Sequence, residues 1–222
     1  MSSSISERID QIRSSLPSSV RLIAVSKTVP AEIMRCAYAA GIRDFGESRI
    51  QEAASKQAEL KDLSDITWHF IGHLQSNKAK KALEQFQWIH SVDNLQLAQR
   101  LNNLAPQLGV IPQVCLQVKI LPDPNKSGWT VPQLLADLPA IAQYKNLQIQ
   151  GLMTIPPLGL TRAEIFDVFK ATCNLAKTIR EQNWSHLKMQ HLSMGMSGDY
   201  EIAVEAGTTM VRLGTILFGD RP

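Results

Sequence analysis

The sequence predicts a single (β/α)8 barrel, and three observations carry that prediction. Eight short apolar or β-branched runs recur along 222 residues. Apolar stripes at helical spacing separate them. After the first twenty residues, no stretch rich in Pro, Gly and Ser divides the chain into two parts of differing composition. Strands separated by helices pair in parallel. An open doubly wound sheet also satisfies the alternation, but it carries fewer strands in this length and needs edges that tolerate solvent, so eight units favour closure.

The elements follow in order. Ile5, Ile9, Ile12 and Leu16 mark one face of a helix, and Ser4 with Glu7 three positions on reads as a capping box. Pro17 ends that helix, so residues 1–20 form an extra N-terminal helix and lead-in to the barrel. Strands are expected over 21–27, 44–48, 68–72, 88–92, 113–120, 149–155, 191–195 and 210–214. Between them lie stripes such as Ile33, Cys36, Ala37 and Ala40, or Leu97, Leu101, Leu104 and Leu108. A short helix is expected over 200–206. In a closed barrel, layers of Val, Ile and Leu supply most of the stability, and chemistry gathers at the C-terminal ends of the strands, with a phosphate site commonly formed after strands seven and eight.

Composition narrows the function classes. With 44% hydrophobic residues the chain buries a full core without disulfides or structural metal. Cys36, Cys115 and Cys173 lie far apart in apolar runs, which predicts three buried free thiols in a reducing compartment. Neither a signal-peptide core nor a run of membrane-spanning length is visible, so the expected location is cytoplasmic. A net charge of +3 spread along the chain argues against a nucleic-acid partner. Lys78, Lys80 and Lys81 read as a solvated helix face. His69 and His73 bracket a strand end and do not share a helix face, so no metal site is assigned. Trp68, Trp88, Trp129 and Trp184 read as core or rim packing, and Met194 with Met196 as packing around a loop.

Three segments carry chemistry. The first strand delivers Lys27 to the catalytic rim after an apolar run; apolar neighbours favour the neutral amine, the form that attacks a carbonyl. A lysine snorkelling out of the barrel mouth fits that position as well. After strand seven, Ser193-Met-Gly-Met-Ser-Gly-Asp199 sets two hydroxyls and two glycines before a short helix, a turn that offers backbone N–H groups to an anion. After strand eight, Arg212-Leu-Gly-Thr215 again sets a glycine beside a hydroxyl. Alternation along the strand turns Arg212 towards the barrel mouth. Its acceptor is either a pyridine nitrogen or a carboxylate of Glu205, Glu201 or Asp44.

Taken together, Ala24-Val-Ser-Lys27, Ile71-Gly-His-Leu-Gln-Ser-Asn-Lys78, Lys126-Ser-Gly128, Gly151-Leu-Met-Thr-Ile-Pro156, Leu192-Ser-Met-Gly-Met-Ser197 and Val211-Arg-Leu-Gly-Thr215 resemble the pyridoxal phosphate homeostasis proteins, across almost the whole chain. The resemblance implies an alanine-racemase-like barrel holding pyridoxal 5′-phosphate as a Schiff base on Lys27. It implies that Ser193, Gly195, Ser197, Gly214 and Thr215 hold the phosphate, that Arg212 faces the pyridine nitrogen, and that Met153 packs close to the ring. Asn77 and His69 match positions near the pocket. Gly46-Glu-Ser48 departs from the family, which usually has asparagine third, so a contact there is expected to be lost or bridged by water.

The function this implies is cofactor binding in vitamin B6 and amino-acid homeostasis without substantial catalysis, with apo enzymes as expected recipients. A racemase needs two bases on opposite faces of its substrate carbon, and Lys27 supplies one. In the racemase, the second comes from an added domain, which a chain ending at Pro222 is expected to lack; the same reasoning predicts a monomer. Amino-acid racemisation is the alternative. A third reading gives Lys27 to a sugar phosphate, as in an aldolase-type barrel.

Overall fold

The computed structural model describes residues 4–219. Helix α1 (Ile5–Ser15) starts at the predicted capping box: the Ser4 hydroxyl accepts from the Glu7 N–H, and the Glu7 carboxylate accepts from the Ser4 N–H. Ile9 and Ile12 bury its inner face. Arg13 ties the helix down by donating to the carbonyls of Ala40 and Gly41 at 2.8 and 2.7 Å.

The alternation then runs β1 (Arg21–Val25), α2 (Ala31–Ala39), β2 (Asp44–Glu47), α3 (Ile50–Glu59), β3 (Thr67–Phe70), α4 (Ala79–Gln85), β4 (Trp88–Val92) and α5 (Leu95–Leu104). It continues through β5 (Gln113–Lys119), β6 (Trp129–Thr130), α6 (Val131–Ile141), β7 (Gln148–Met153), α7 (Arg162–Glu181), β8 (Leu187–Ser193), α8 (Tyr200–Ala206), β9 (Met210–Leu213) and α9 (Thr215–Phe218). The strands pair in parallel in the order β4-β3-β2-β1-β9-β8-β7-β5, and β4 pairs with β5 to close the ring. A closed, parallel (β/α)8 barrel results, as predicted.

One strand was not anticipated. The two residues of β6 pair outside the ring with Val118 and Lys119 of β5, and so short a segment leaves no period in the sequence. Strand β8 begins at Leu187, well before the expected residue 191; its first four residues alternate, with Leu187 and Met189 buried and Lys188 and Gln190 exposed, and Met189 lies in the left-handed region at φ 48°.

Three expectations need correction. The apolar bulk lies in the shell between strands and helices, where Met34, Phe45, Phe70, Leu97 and Leu101 belong to one large cluster. A separate cluster of Ile23, Trp88, Cys115, Met153 and Met210 lies apart from it, alongside buried His69, His90, Ser193 and Arg212. The barrel interior is therefore partly polar and is not filled by layers of Val, Ile and Leu. Helix α2 buries Ala31, Met34 and Ala37; Ile33 flanks that face, partly buried against the core, and Cys36 falls off it. Cys36 is accordingly exposed and Cys173 half-buried, leaving Cys115 as the buried thiol of the three.

Candidate functional site

The strand ends at the C-terminal face enclose a cavity of about 400 Å³ lined by Lys27, Ser48, Ser197, Arg212, Gly214 and Thr215, with Val25, Ile71, Gly72, Ile155, Met196 and Gly198. That volume falls within the ~300–1,000 Å³ of small-molecule sites. Of the residues predicted from sequence, six are brought together here from β1, β2, β9 and the turn after β8.

Lys27 sits just beyond β1 in a turn held on both sides. The Ser26 N–H donates to the Gly46 carbonyl at 3.0 Å. The Ser26 hydroxyl donates to Glu47 at 2.7 Å, and Lys56 of α3 donates both to the Ser26 carbonyl at 2.6 Å and to Glu47 at 2.8 Å. On the far side the Thr28 N–H donates to Glu52, with Thr28 itself in the left-handed region at φ 64°. A non-glycine residue there costs of order 1–3 kcal/mol and persists only where its surroundings impose it. Lys56 and Glu52, which also pair with each other at 2.6 Å, supply that constraint. Burial raises Glu47 above its usual carboxylate range against the opposing pull of Lys56 and Ser26. Burial alone would raise Glu52 too, but Lys56 and the Thr28 amide together bring it below its ordinary value.

The opposite wall is built from the last two turns. Gly195, at φ +91°, lets the chain leave β8 and turn into α8; a Cβ there would meet the Ala203 Cβ at 2.7 Å, so the turn admits no larger residue. The Met196 N–H donates to Asp199 at 2.6 Å and closes the loop. Ser197 Oγ then receives the N–H groups of Gly214 and Ile216 at 3.3 and 3.4 Å. The Ser197 hydroxyl is thereby held on the cavity wall with Gly214 and the exposed Thr215, and turns of this kind, with backbone N–H groups and hydroxyls close together, suit a phosphate oxygen.

Arg212 is 3% exposed and reaches the cavity from β9. Its guanidinium donates to Ser193 Oγ at 2.6 Å and to the Thr154 carbonyl at 3.2 Å. Burial pulls it down to about 10, offset in part by Asp199 and Cys115, so it stays cationic at neutral pH. The carboxylates considered from sequence are engaged elsewhere: Glu205 with Arg162, Glu201 with Tyr200, and Asp44 with His69 and Arg21.

Five predicted residues lie off the cavity wall. Ser193 is wholly buried beneath it, committed to Arg212 and His90. Gly195 shapes the turn. Met153 is in the interior cluster, and Ile155 takes the wall position two residues on. His69 is buried in mid-barrel. Asn77 is exposed and lines a different surface cleft with Gln96, Gln99 and Arg100. Conversely, sequence reasoning passed over Gly72 and the Lys56–Glu47–Glu52 clamp. Gly72 lies inside a quoted motif, and a Cβ there would sit 2.3 Å from the Ser48 carbonyl. The only trace of the clamp was the spacing of Glu52 and Lys56, which equally describes a solvent-facing pair.

Among the described residues, no group of three or more His, Cys, Asp or Glu is placed to hold a metal ion, and no helix is long and apolar enough to cross a membrane.

A parallel barrel with a rim lysine, a buried rim arginine and glycine- and hydroxyl-bearing turns after its last two strands defines a lysine-bearing barrel of the alanine racemase type. The chain belongs to the alanine racemase N-terminal domain family, which matches residues 2–222. Within it, the chain groups with the pyridoxal phosphate homeostasis proteins. It is 56% identical to the one from Synechocystis sp. over 95% of this chain and 96% of that protein. Against the one from Escherichia coli K12 it is 38% identical, over 92% of this chain and 87% of that protein. The structure of PipY from Synechococcus elongatus without PLP matches with a TM-score of 0.95 at 55% identity, over 97% of this chain and 100% of that one. The PipY structure with PLP bound matches at 0.93 and 54% over the same shares. Alanine racemase of Clostridium difficile shares the fold at a TM-score of 0.74 and 15% identity, with this chain spanning 57% of its length.

Proposed function

We propose that this chain binds pyridoxal 5′-phosphate in the cavity over Lys27 and works in cofactor and amino-acid homeostasis without substantial turnover. The observation that carries the reading is the convergence of Lys27, Arg212, Ser197, Gly214 and Thr215 on one cavity. The names and the PLP-bound structure among its relatives support it.

The residues fit the group. Lys27 Nζ would hold the aldehyde carbon covalently. Ser197, Gly198, Gly214 and Thr215 would hold the phosphate, with Gly195 shaping the turn; Ser193, engaged with Arg212, passes from phosphate contact to support. Ser48 in place of asparagine offers one hydroxyl and leaves room for a bridging water. When bound, the cofactor supplies an electrophilic carbonyl carbon and a conjugated ring that delocalises electrons. Arg212 is the cation available to the ring nitrogen, and its charge disfavours a proton at that atom, which weakens the ring as an electron sink. The ionisable side chains on the cavity wall are Lys27 and Arg212. Lys27 serves as one base, and a cationic guanidinium makes a poor second.

We place this work in the cytoplasm, in a single-domain monomer that hands cofactor to apo enzymes. The free thiols Cys36, Cys115 and Cys173 accord with a reducing compartment.

Titrating the purified protein with pyridoxal 5′-phosphate tests the reading. A visible absorption band is expected to saturate with cofactor and to weaken when inorganic phosphate competes or when Ser197 is changed to Ala. No band at any concentration overturns the binding. Stereospecific turnover of an amino-acid panel at ordinary enzyme rates establishes racemisation instead.

A further inference from the structure

We propose that Asp44, His69, His90 and Ser193 form a polarised positioning relay that crosses the barrel interior and aims the Arg212 guanidinium into the cavity. Its consequence for the cofactor rests on the reading above; the relay itself rests on geometry. His69 Nε2 lies 2.8 Å from Asp44 Oδ1, His69 Nδ1 lies 2.9 Å from His90 Nε2, and His90 Nδ1 lies 2.7 Å from Ser193 Oγ, which is 2.6 Å from Arg212. Strands β4 and β8 are not hydrogen-bonded neighbours, so the contact from His90 to Ser193 spans the interior. Trp88 walls the chain, lying 5.8 Å from His69 at an interplanar angle of 18°.

Hydrogen-bond chemistry allows one assignment. A carboxylate only accepts, so His69 donates from Nε2. Both imidazoles are fully buried, and burial disfavours their charged forms, so each carries one proton. His69 Nδ1 therefore accepts from His90 Nε2–H, His90 Nδ1 accepts from the Ser193 hydroxyl, and the Ser193 oxygen accepts from Arg212. Every donor in the chain points from the cation towards Asp44. That polarity brings the charge of a carboxylate on β2 to bear on an arginine on β9 without direct contact, and fixes the guanidinium through Ser193.

Stability alone gives little reason to retain such a chain, since buried polar groups replaced by apolar ones of similar volume commonly cost nothing. A positioning role does. His69, His90 and Asp44 do not line the cavity, and they act through Arg212.

The test begins with nitrogen-15 spectroscopy of the histidines in protein free of cofactor. Both His69 and His90 are expected as neutral Nε2–H tautomers at neutral pH; an Nδ1–H tautomer or an imidazolium at either position overturns the relay. Protein loaded with pyridoxal 5′-phosphate then supplies a second readout. His90→Phe is expected to release cofactor about tenfold faster and to shift the visible band. In His90→Gln the amide oxygen accepts from Ser193 and the amide N–H donates to His69, so retention is expected to recover to within about threefold of the parent. Equal retention and identical spectra in all three proteins overturn the positioning role. If His90→Phe does not fold, Ser193→Ala cuts the same chain with a smaller change and is read the same way. If the parent protein takes up no cofactor, the binding reading fails while the tautomers still decide the relay.

Discussion

Lys27 and Arg212 reach one cavity from strands that are hydrogen-bonded neighbours, with Arg212 of β9 in register with Ile23 of β1, four residues before the lysine. Closure of the barrel brings the first and last strands together, so residues separated by most of the chain become two walls of one site. The lysine wall is set by a clamp of buried charge and the arginine wall by a buried hydrogen-bond chain, and each makes its own predictions.

Replacing Lys27 with Ala is expected to remove the visible band on cofactor addition while leaving the far-ultraviolet circular dichroism of the barrel intact. The side chain is half-buried at the rim and belongs to neither hydrophobic cluster, so its loss leaves the packed core untouched. A disordered spectrum would tie the site to the scaffold and contradict this separation.

Lys56→Met should act on stability instead. It strands the wholly buried Glu47 carboxylate and removes the bond that fixes the Ser26 carbonyl. Breaking a buried pair from one side costs about 3–5 kcal/mol, whereas replacing both partners is often close to neutral. Urea melts should therefore show a large loss for Lys56→Met and substantial recovery when Glu47→Leu is added. Additive losses in the double variant would remove the clamp from the account.

A Cβ at Gly195 would lie 2.7 Å from the Ala203 Cβ in a backbone conformation at φ +91°. Gly195→Ala is expected to cost about 1–3 kcal/mol in chemical denaturation and to weaken cofactor binding by loosening the turn that carries Ser197. Unchanged stability would show that the turn yields without strain.

His69 and His90 set an acid limit. Burial lowers both below the ordinary imidazole value of 6.5, so the folded chain binds fewer protons than the unfolded chain just below that pH. Their contribution to stability is present above 6.5 and is lost as pH falls through the folded-state values. Thermal melts between about pH 7.5 and 5.5 should decline towards acid, and a His69→Gln/His90→Gln double variant should decline less steeply. Parallel slopes would assign the acid sensitivity to other groups.

The barrel was legible because its determinants are local: apolar runs for the strands, the Ser4–Glu7 cap, and glycine-bearing turns after β8 and β9. That Lys27, Ser197, Arg212, Gly214 and Thr215 share one cavity was legible because strand ends in a barrel share one face. The interior was not. His69 matched a position near the pocket by resemblance and proved to be mid-barrel, since a one-strand pattern does not reveal which residue across the ring it meets. Ser193 read as a phosphate hydroxyl and is held instead by Arg212 and His90, a partner 103 positions away in sequence. Glu52 and Lys56 are four apart on α3, a spacing that describes a solvent pair as well as a buried clamp until the helix is seen against β2.

The point of cofactor attachment decides whether Lys27 is the residue on which this site is built. Borohydride reduction of protein incubated with pyridoxal 5′-phosphate, followed by proteolysis and mass spectrometry of the peptides, reads that position directly. A pyridoxyl phosphate adduct on Lys27, absent when excess phosphate competes, is the predicted result. An adduct confined to other lysines, or none at saturating cofactor, contradicts it.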